Sequence, residues 1–407
     1  MSKWQRVKLS DVSESVLGKM LDQNKNKGEY QPYLANIDVR WGEFDLDHLG
    51  KMKFEKHEEE RYGLQYGDLL VCEGGEPGRC AIWKNQIPNM KFQKALHRVR
   101  ANLSVLDNRF LFYWFLLAGK TGELEQYFTG ATIKHMPRQK LKEVKIFLPP
   151  LEVQRKIADV LSAYDDLIEN NRKQIKLLEE AAQRLYKEWF IDLRFPGYET
   201  TPIIDGIPDG WKRKKLIEIA DITMGQSPKS EFYNSNRDGL PFHQGVGSFG
   251  TRFVIDETYS SSFSRVAESG DILFSVRAPV GRLNITLNKI AIGRGLAAIK
   301  QKNNLQNLLY YMLKEHFFKD DIIGNGSIFA SITKDELTNF VLLVPRQDIC
   351  EKFNNLTKDI DSKIVILDKQ IRGIKETRDR LLPKLMTSEL IETRNSLLTK
   401  LTNITFK

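Results

Sequence analysis

The two halves of this 407-residue chain repeat each other, and the offset between them stays constant over long stretches. Gly67-Asp68-Leu69-Leu70 recurs 203 residues later as Gly270-Asp271-Ile272-Leu273, and Gly78-Arg79 recurs at the same offset. Further on, residues 144–149 match residues 340–345 at an offset of 196. Fixed offsets predict a duplicated architecture. The change of seven residues predicts a shortened surface loop in the second half.

Each half ends in a long run of residues spaced alternately by four and by three. The first run consists of Ile157, Leu161, Tyr164, Ile168, Asn171, Ile175, Leu178, Ala182, Leu185 and Trp189. The second, 196 residues later at every position, consists of Phe353, Thr357, Ile360, Ile364, Leu367, Ile371, Ile374, Arg378, Leu381 and Leu385. Such seams predict coiled-coil helices that pair with each other. An amphipathic helix on a globular core is the alternative for either run.

The order of these segments predicts an α+β fold with two similar globular α/β domains, separated by two long antiparallel coiled-coil helices in a pseudo-twofold repeat. The helices are antiparallel in this prediction because the first leads the chain to the second domain and the second leads it back. The predicted segments are a first domain at 1–150, a spacer helix at 151–195, a second domain at 196–346 with a linker at 196–210, a C-terminal helix at 347–393 and a tail at 394–407.

Charge is distributed unevenly along the chain. The net charge is +9, and all of this excess lies outside the helical segments 152–195 and 347–390. The globular parts are therefore expected to approach a polyanion, with double-stranded DNA as the first candidate, unless the partition is accidental. Three isolated cysteines and a polar N-terminus favour a soluble, cytoplasmic protein without a membrane partner.

Glycine-containing loops, and a strand on which basic residues alternate, supply the candidate DNA contacts. Arginine can bond phosphates or guanine edges, and hydroxyl and apolar groups can meet other base edges. The candidates are Arg79, Lys84, Arg98, Arg100, Thr132, Lys134, Arg138, Arg277, Arg282, Arg294, Ser327, Ser331 and Lys334. An ordinary surface hairpin remains the alternative for the loops at 73–79 and 275–282.

Recognisable catalytic motifs are missing from the sequence. A phosphate-binding loop and a dinucleotide fingerprint are both absent. The run Glu58-Glu59-Glu60 lacks the spacing of metal ligands and is interpreted as a solvated charge run. We therefore expect no catalytic residue, no metal site and no cofactor in this chain.

The helical segments carry the motifs of a known family. The first contains PPLEVQRKI at 149–157, LLEE at 177–180 and YKEWF at 186–190, and RFPG follows at 194–197. The second copy runs from Pro345 to Met386. In these motifs the chain resembles the specificity subunit of type I restriction–modification systems, and the resemblance covers nearly its whole length.

The resemblance implies two target-recognition domains, each reading one half of a gapped DNA sequence. The helices would set the gap and dock two modification subunits, which hold S-adenosylmethionine and methylate adenine. Restriction subunits would add ATP- and Mg-dependent translocation and cleavage. The same seam residues would pair the helices and serve this docking, although the second copy departs from the first, with Cys350 where Gln154 stands and Leu367 where Asn171 stands.

Two other functions stay open at this point. One is a diverged single-chain DNA nuclease or methyltransferase. The other is a coiled-coil assembly scaffold without a DNA role. Incubating the purified chain with metal ions or S-adenosylmethionine tests the first, and salt-dependent DNA binding by the assembled complex tests the second.

Overall fold

A computed structural model describes residues 4–20, 22, 24–317 and 331–386. The chain forms two compact units, each with its own core. Unit 1 comprises residues 1–171 and 369–407, and unit 2 comprises residues 172–368. Each unit therefore includes part of both long helices. The domain boundaries predicted from the sequence divide the chain by element type instead, and they stay a prediction.

Unit 1 combines short antiparallel sheets with helices. Its elements up to the first long helix are β1 (Gln5–Lys8), α1 (Leu9–Val12), β2 (Ser13–Leu17), β3 (Glu29–Leu34), β4 (Gly50–Phe54), α2 (Glu59–Tyr62), β5 (Leu69–Cys72), β6 (Cys80–Ile82), β7 (Lys91–Phe92), β8 (Leu96–Ala101), α3 (Asn108–Thr121), α4 (Arg138–Glu143), β9 (Lys145–Leu148) and α5 (Leu151–Tyr186). The strands form a sheet in the order β2-β8-β5-β6, a second in the order β4-β3-β7, and the pair β1-β9. The β3–β7 pair is parallel.

Unit 2 has a similar order of elements, except that its described residues include four additional short strands and no helix equivalent to α2. In chain order its elements are β10 (Ile203–Ile204), β11 (Ile207–Pro208), β12 (Lys212–Lys215), α6 (Leu216–Ile219), β13 (Ala220–Met224), β14 (Tyr233–Asn234), β15 (Leu240–His243), β16 (Tyr259–Ser260), β17 (Val266–Ala267), β18 (Ile272–Ser275), β19 (Leu283–Ile285), β20 (Ile290–Ile292), β21 (Leu296–Gln301), α7 (Gln306–Phe317), α8 (Lys334–Thr338), β22 (Val341–Val344) and α9 (Gln347–Met386). The sheet β13-β21-β18-β19 matches β2-β8-β5-β6, and β12-β22 matches β1-β9. The parallel pair β15–β20 lies in a five-stranded sheet, β14-β16-β15-β20-β17. The predicted α+β class and internal repeat are confirmed.

The same turn opens the central buried strand of each unit. Gly67 and Gly270 both have a φ of +90°, a conformation that glycine adopts without strain. The carboxylates of Asp68 and Asp271 each accept a 2.8 Å hydrogen bond from a backbone N–H three residues earlier. The sequence Gly-Asp therefore specifies a turn that feeds β5 and β18, whose residues are all buried.

The shortening of the second half does not fall in a single loop. The offset between equivalent strands is 203 for β6 and β19, 200 for β8 and β21, and 196 for β9 and β22. Three residues are lost between the first two of these pairs and four between the last two. The prediction of one shortened loop is therefore wrong, because it had no strand register between the two blocks.

The most apolar stretch of the sequence forms the core helix α3. The side chain of Asp107 accepts hydrogen bonds from the backbone of Arg109 and Phe110 and so begins the helix, and Gly122, with a φ of +74°, ends it. Residues 110–116 are all buried. No helix in the described part of the chain is both long and apolar enough to cross a membrane.

In unit 1 the two long helices run in opposite directions. Ile157 and Leu161, early in α5, share a core with Leu382 and Leu385, late in α9. Asn171, later in α5, donates to Gln370, earlier in α9, with 3.3 Å between Nδ2 and Oε1. The antiparallel pairing predicted from the two seams is confirmed within this unit.

In unit 2 the remaining helical segments are antiparallel as well. The rings of Tyr186 and Trp189, at the end of the first helical segment, each lie 5.9 Å from the ring of Phe353, near the start of α9. Every residue of both predicted seams is buried or half-buried. Helix α9 also continues for three residues beyond Pro383, so this proline does not end it.

Candidate nucleic-acid interface

The loop at residues 73–79, between β5 and β6, is shaped by Arg79. The guanidinium donates to the Asn36 backbone oxygen at 2.8 Å, to Asn36 Oδ1 at 3.1 Å and to Glu76 Oε2 at 3.1 Å. Glu76 also accepts a hydrogen bond from Trp41 Nε1. Arg79 is thus engaged by protein groups, and its position makes it a residue that fixes the loop.

An open cleft of about 610 Å³ lies beside this loop in unit 1. Glu76, Glu125, Thr132 and Lys134 contribute to its lining. Thr132 and Lys134 are exposed, and Lys134 Nζ lies 3.9 Å from Glu125 Oε2. The structure therefore brings these two candidates to the same cleft as the Arg79 loop.

The equivalent loop of unit 2, at residues 275–282, is held by Ser275. Its hydroxyl donates to the Pro279 carbonyl at 2.6 Å and accepts from the Arg282 backbone N–H at 2.8 Å. Arg277 is exposed and its backbone forms a bridge with Ser331. Arg277 and Ser331 are therefore neighbours, whereas candidate Ser327 lies outside the described residues.

Two further candidates are bound to carboxylates of unit 1. Arg100 donates from Nε and Nη2 to the two oxygens of Asp68, both at 2.7 Å. Lys84 Nζ lies 3.1 Å from Glu169 and 3.5 Å from Asp166, both in α5. Arg100 and Lys84 therefore form salt bridges within the unit.

Candidate Arg98 is buried, and the acidic run predicted to be solvated lies beside it. Its guanidinium donates to three backbone carbonyls of residues 60–63, at 3.2–3.3 Å. Buried Lys19 pairs with Glu58, and fully buried Lys91 pairs with Glu59. Burial would raise the pKa of Glu58, but the contact with Lys19 brings it below its ordinary value. The solvated interpretation is therefore wrong for Glu58, and Arg98 has no free face for DNA.

Arg138 and Lys334 occupy the same place in the two units, at the first residue of α4 and α8. Both are exposed. Arg138 Nε donates to the backbone oxygen of Ser15 at 2.8 Å, while Thr333 caps the helix that begins at Lys334. The two candidates are at the surface, although Arg138 is partly committed to the neighbouring strand.

A tyrosine–aspartate contact links each globular part to a long helix. In unit 1, Tyr113 of α3 donates to Asp165 of α5 at 2.6 Å, and Arg378 of α9 binds the same carboxylate. In unit 2, Tyr311 of α7 donates to Asp361 of α9 at 3.0 Å. Asp165 and Asp361 are equivalent, since they lie 196 residues apart in the repeat.

In unit 2 the partner of this aspartate is Arg252, whose side chain is only 2% exposed. The guanidinium donates to Asp361 and lies 3.4 Å from Glu179 of α5. It also lies 4.3 Å from the ring centre of Tyr310 and 5.5 Å from that of Tyr311. Sequence reasoning did not single out Arg252, because its partners come from distant segments.

Lys94 is a second residue that the sequence analysis missed, and the register of the strands identifies it. Arg294 precedes β21 by two residues, and Lys94 precedes the equivalent β8 by two residues. Both are exposed. The counterpart of Arg98 is Ala298 and that of Arg100 is Lys300, so Arg294 and Lys94 form the equivalent pair. An offset of 200, intermediate between the two found in the sequence, would have revealed it.

Comparison with known proteins identifies the family. The family model described as "Type I restriction modification DNA specificity domain" matches residues 1–180 and 208–374. The chain belongs to this family. It is 30% identical over 403 residues to the putative type I restriction enzyme MjaX specificity subunit of Methanocaldococcus jannaschii, covering 95% of this chain and 93% of that protein.

Further relatives of this specificity subunit agree along nearly their whole length. The MjaIX specificity subunit of the same organism is 28% identical, with 95% of this chain and 93% of the relative covered. The crystal structure of the S subunit of a type I restriction–modification system from M. genitalium covers 95% of this chain and 96% of its own, with 17% identity and a TM-score of 0.54. That structure shares the fold.

One of the two positions at which the second helical motif departs from the first, Gln154 and its counterpart Cys350, lies in the interior. Gln154 is fully buried, and its amide donates to the Pro149 carbonyl at 2.8 Å. At the equivalent position, buried Cys350 donates from Sγ to the Pro345 carbonyl at 3.4 Å. Both side chains therefore fix the start of their helix, and neither belongs to a surface available for docking.

The described residues contain no group of three or more histidine, cysteine or carboxylate side chains that could hold a metal ion. All three cysteines are free and buried. Burial raises the pKa of the Cys72 thiol to about 11, which disfavours the reactive thiolate.

Proposed function

We propose that this specificity subunit reads a bipartite, gapped DNA sequence, with one half-site for each unit. The observation that carries the proposal is the repetition of one architecture with different side chains at equivalent surface positions. Lys94 of unit 1 is replaced by Arg294 in unit 2, and Arg138 is replaced by Lys334. Different base-contacting groups on the same framework give two different half-sites.

In each unit, the proposed place of subunit docking is the exposed side of the helical segments that belong to that unit. Leu167 and Leu177 of α5 and Leu356 and Ile366 of α9 are all at least half exposed. An apolar side chain on a helix exterior offers area that a partner can cover, because removing that area from water is favourable. We propose that two modification subunits bind there, that the helices set the gap, and that the cytoplasm, where host DNA lies, is the site of action.

Within this proposal the chain contributes binding free energy and no chemistry. Each wrong base pair typically costs about 1–3 kcal/mol, so two short half-sites give useful discrimination. S-adenosylmethionine is proposed to bind in the modification subunits, which methylate adenine, and ATP and Mg in restriction subunits where these are present. Incubating the purified chain alone with S-adenosylmethionine or with metal ions tests the catalytic alternative, since turnover by the chain would contradict the proposal.

A domain exchange tests the bipartite reading directly. Residues 1–145 would be replaced by those of another family member, and the complex with modification subunits would methylate a DNA library. Sequencing of the methylated sites should show one half-site changed and the other retained. A change in both half-sites contradicts the assignment of one half-site to each unit.

A further inference from the structure

Three turns of unit 2, around residues 225, 244 and 294, pack so closely that their backbones are in contact. Gly225 donates to the Leu296 carbonyl at 2.9 Å, and Gly295 donates to the Gln244 carbonyl at 3.1 Å. A Cβ at Gly225 would lie 2.2 Å from the oxygen of Gly293, and a Cβ at Gly295 would lie 2.5 Å from the oxygen of Gln244. Only glycine fits these positions, so the turns form a fixed platform.

Polar side chains on this platform present hydrogen-bond donors outward. Ser227 Oγ donates to Gln244 Oε1 at 3.1 Å, and Ser264 Oγ donates to Gln226 Oε1 at 3.2 Å. Because hydroxyls engage both amide oxygens, the two amide NH₂ groups remain to face a ligand. The Arg294 backbone N–H donates to Ser227 at 3.2 Å, which fixes the turn that carries its guanidinium.

We call Gln226, Gln244 and Arg294, with their supporting Ser227 and Ser264, the donor patch. The three long side chains are exposed. Among the residues that the structure describes, the Arg294 guanidinium has no hydrogen-bond or ion-pair partner, and none of the five residues is acidic. Gly293 and Gly295 flank Arg294, so the two adjacent chain positions carry no side chain that could cover its guanidinium.

We propose that the donor patch reads an acceptor-rich base edge, foremost guanine, in the half-site of unit 2. In the major groove guanine presents two acceptors, N7 and O6, and a guanidinium can bond both. The amide groups of Gln226 and Gln244 add donors for a neighbouring acceptor. This inference rests on the proposed function, and it assigns the base chemistry that one turn of the protein recognises.

The corresponding turn of unit 1 keeps the close approach made by Gly225, but Ala95 stands where unit 2 has Gly295, and the exposed side chains differ. A Cβ at Gly18 would lie 2.2 Å from the oxygen of Gln93, as at Gly225 in unit 2. Its exposed side chains include Lys94, and Met20 is 58% exposed. A backbone contact kept in both repeats, with exposed side chains that differ, is the pattern expected of a base-reading position.

The test uses the assembled complex of the specificity subunit with its modification subunits and S-adenosylmethionine. It would methylate a library in which both half-sites are randomised, and sequencing would give the preference at every position. Arg294→Lys keeps the charge and removes the planar fork. We expect discrimination at one or two adjacent positions of a single half-site to fall about 10-fold or more, with the other half-site unchanged.

Gln244→Leu should relax a position next to the one that Arg294→Lys affects. Lys212→Gln is the control, because it removes an exposed positive charge elsewhere in unit 2 and should leave the profile as in the parent. The unchanged half-site and an unchanged melting temperature show in each case that the variant is folded.

Two results overturn the inference. One is an Arg294→Lys profile identical to that of the parent. The other is an equal loss of binding to every sequence in Arg294→Gln, with a shallower salt dependence, because that marks a phosphate contact. The proposed function fails separately, if the parent complex itself methylates without sequence preference.

Discussion

Arg252 donates a hydrogen bond to Asp361 and so ties the β-rich part of unit 2 to helix α9. The same guanidinium contacts Glu179 of α5, so that one buried cation connects both helical segments of the unit. In unit 1 the equivalent aspartate, Asp165 of α5, is bound by Arg378, which comes from the other long helix, α9. The repeat has therefore kept the carboxylate and changed the element that supplies its cation.

Replacing Arg252 by alanine should lower the free energy of unfolding by about 3–5 kcal/mol, because two largely buried carboxylates then lose their counter-charge. Burial already raises the pKa of Asp361, although Arg252 works in the opposite direction. Chemical denaturation measures the loss. Arg346→Ala is the matched control, since its pair with Asp348 is exposed and should contribute less than about 1 kcal/mol. Equal losses for the two variants contradict the role given to Arg252.

The Arg252 cluster also predicts a non-additive double variant. Asp361→Asn removes one of the two carboxylates, so the double variant Arg252→Ala/Asp361→Asn should lose less free energy of unfolding than the two single variants lose in sum. The expected coupling is about 0.5–3 kcal/mol, the range found for residues in one network. A double-mutant cycle by denaturation measures it. Additive effects would show that the two side chains stabilise the unit independently.

Two helical glycines of unit 1 should respond to alanine with opposite signs. At Gly373 in α9, nothing lies within 4 Å of the place that a Cβ would occupy, so Gly373→Ala should raise the free energy of unfolding by up to about 1 kcal/mol through helix propensity. In α3, a Cβ at Gly119 would lie 2.1 Å from the Trp41 ring. Gly119→Ala should therefore destabilise the unit, and thermal unfolding of both variants decides the signs.

The freedom of the Trp41 side chain determines whether Gly119→Ala destabilises the unit. Its indole is anchored by the hydrogen bond to Glu76, which in turn is bound by Arg79. Moving the ring would disturb that loop, so the clash cannot be relieved freely. If Gly119→Ala proves as stabilising as Gly373→Ala, the ring is free to move and the loop is less constrained than its contacts indicate.

Stability should fall with acid through His97. Burial lowers the pKa of this ring from 6.5 to about 4, against the Met136 carbonyl contact, which raises it, and together with Arg138, which lowers it. As the pH falls below 6.5, the unfolded chain takes up the proton first. The folded state should therefore lose about 3 kcal/mol between pH 6.5 and 4.

Comparison with His97→Gln separates the contribution of this ring to acid sensitivity from that of carboxylates, which take up protons over an overlapping pH range. The difference in unfolding free energy between parent and variant should change by about one proton's slope, 1.4 kcal/mol per pH unit, across that window. Above pH 6.5 the difference should be constant. A difference that does not depend on pH would mean that His97 takes up its proton equally well in the folded and the unfolded chain.

The features that could be predicted from the sequence were those that leave a regular spacing of residues along the chain. The seams place a buried residue, such as Ile157 and then Leu161, at every third or fourth step, and burial at that spacing is a property of one helix. The repeat likewise follows from short matched segments. These signals were enough to predict the long helices, their pairing and the two similar domains.

The individual DNA contacts could not be separated in this way. Both Arg98 and Arg294 were DNA-contact candidates from the sequence, but the Arg98 guanidinium donates to carbonyls of residues 60–63, whereas Arg294 is exposed. Arg252 lies 109 residues from Asp361, so no local pattern indicates its role. Whether a basic side chain forms an internal salt bridge or stays free to contact DNA depends on carboxylates and carbonyls from distant segments, which only folding brings close to it.

The docking proposal predicts that Leu177→Glu weakens association with the modification subunit without unfolding the chain. Leu177 is 64% exposed on α5, so the change should alter stability by no more than about 0.5 kcal/mol. A charge buried at an apolar interface is costly, and its desolvation should reduce co-purification of the two subunits strongly. Ile203→Glu is the control, because Ile203 is 55% exposed but lies in the linker hairpin β10–β11. Equal retention of the modification subunit by both variants would move the docking surface away from this face of α5, since an exposed apolar side chain there would then have no partner to lose.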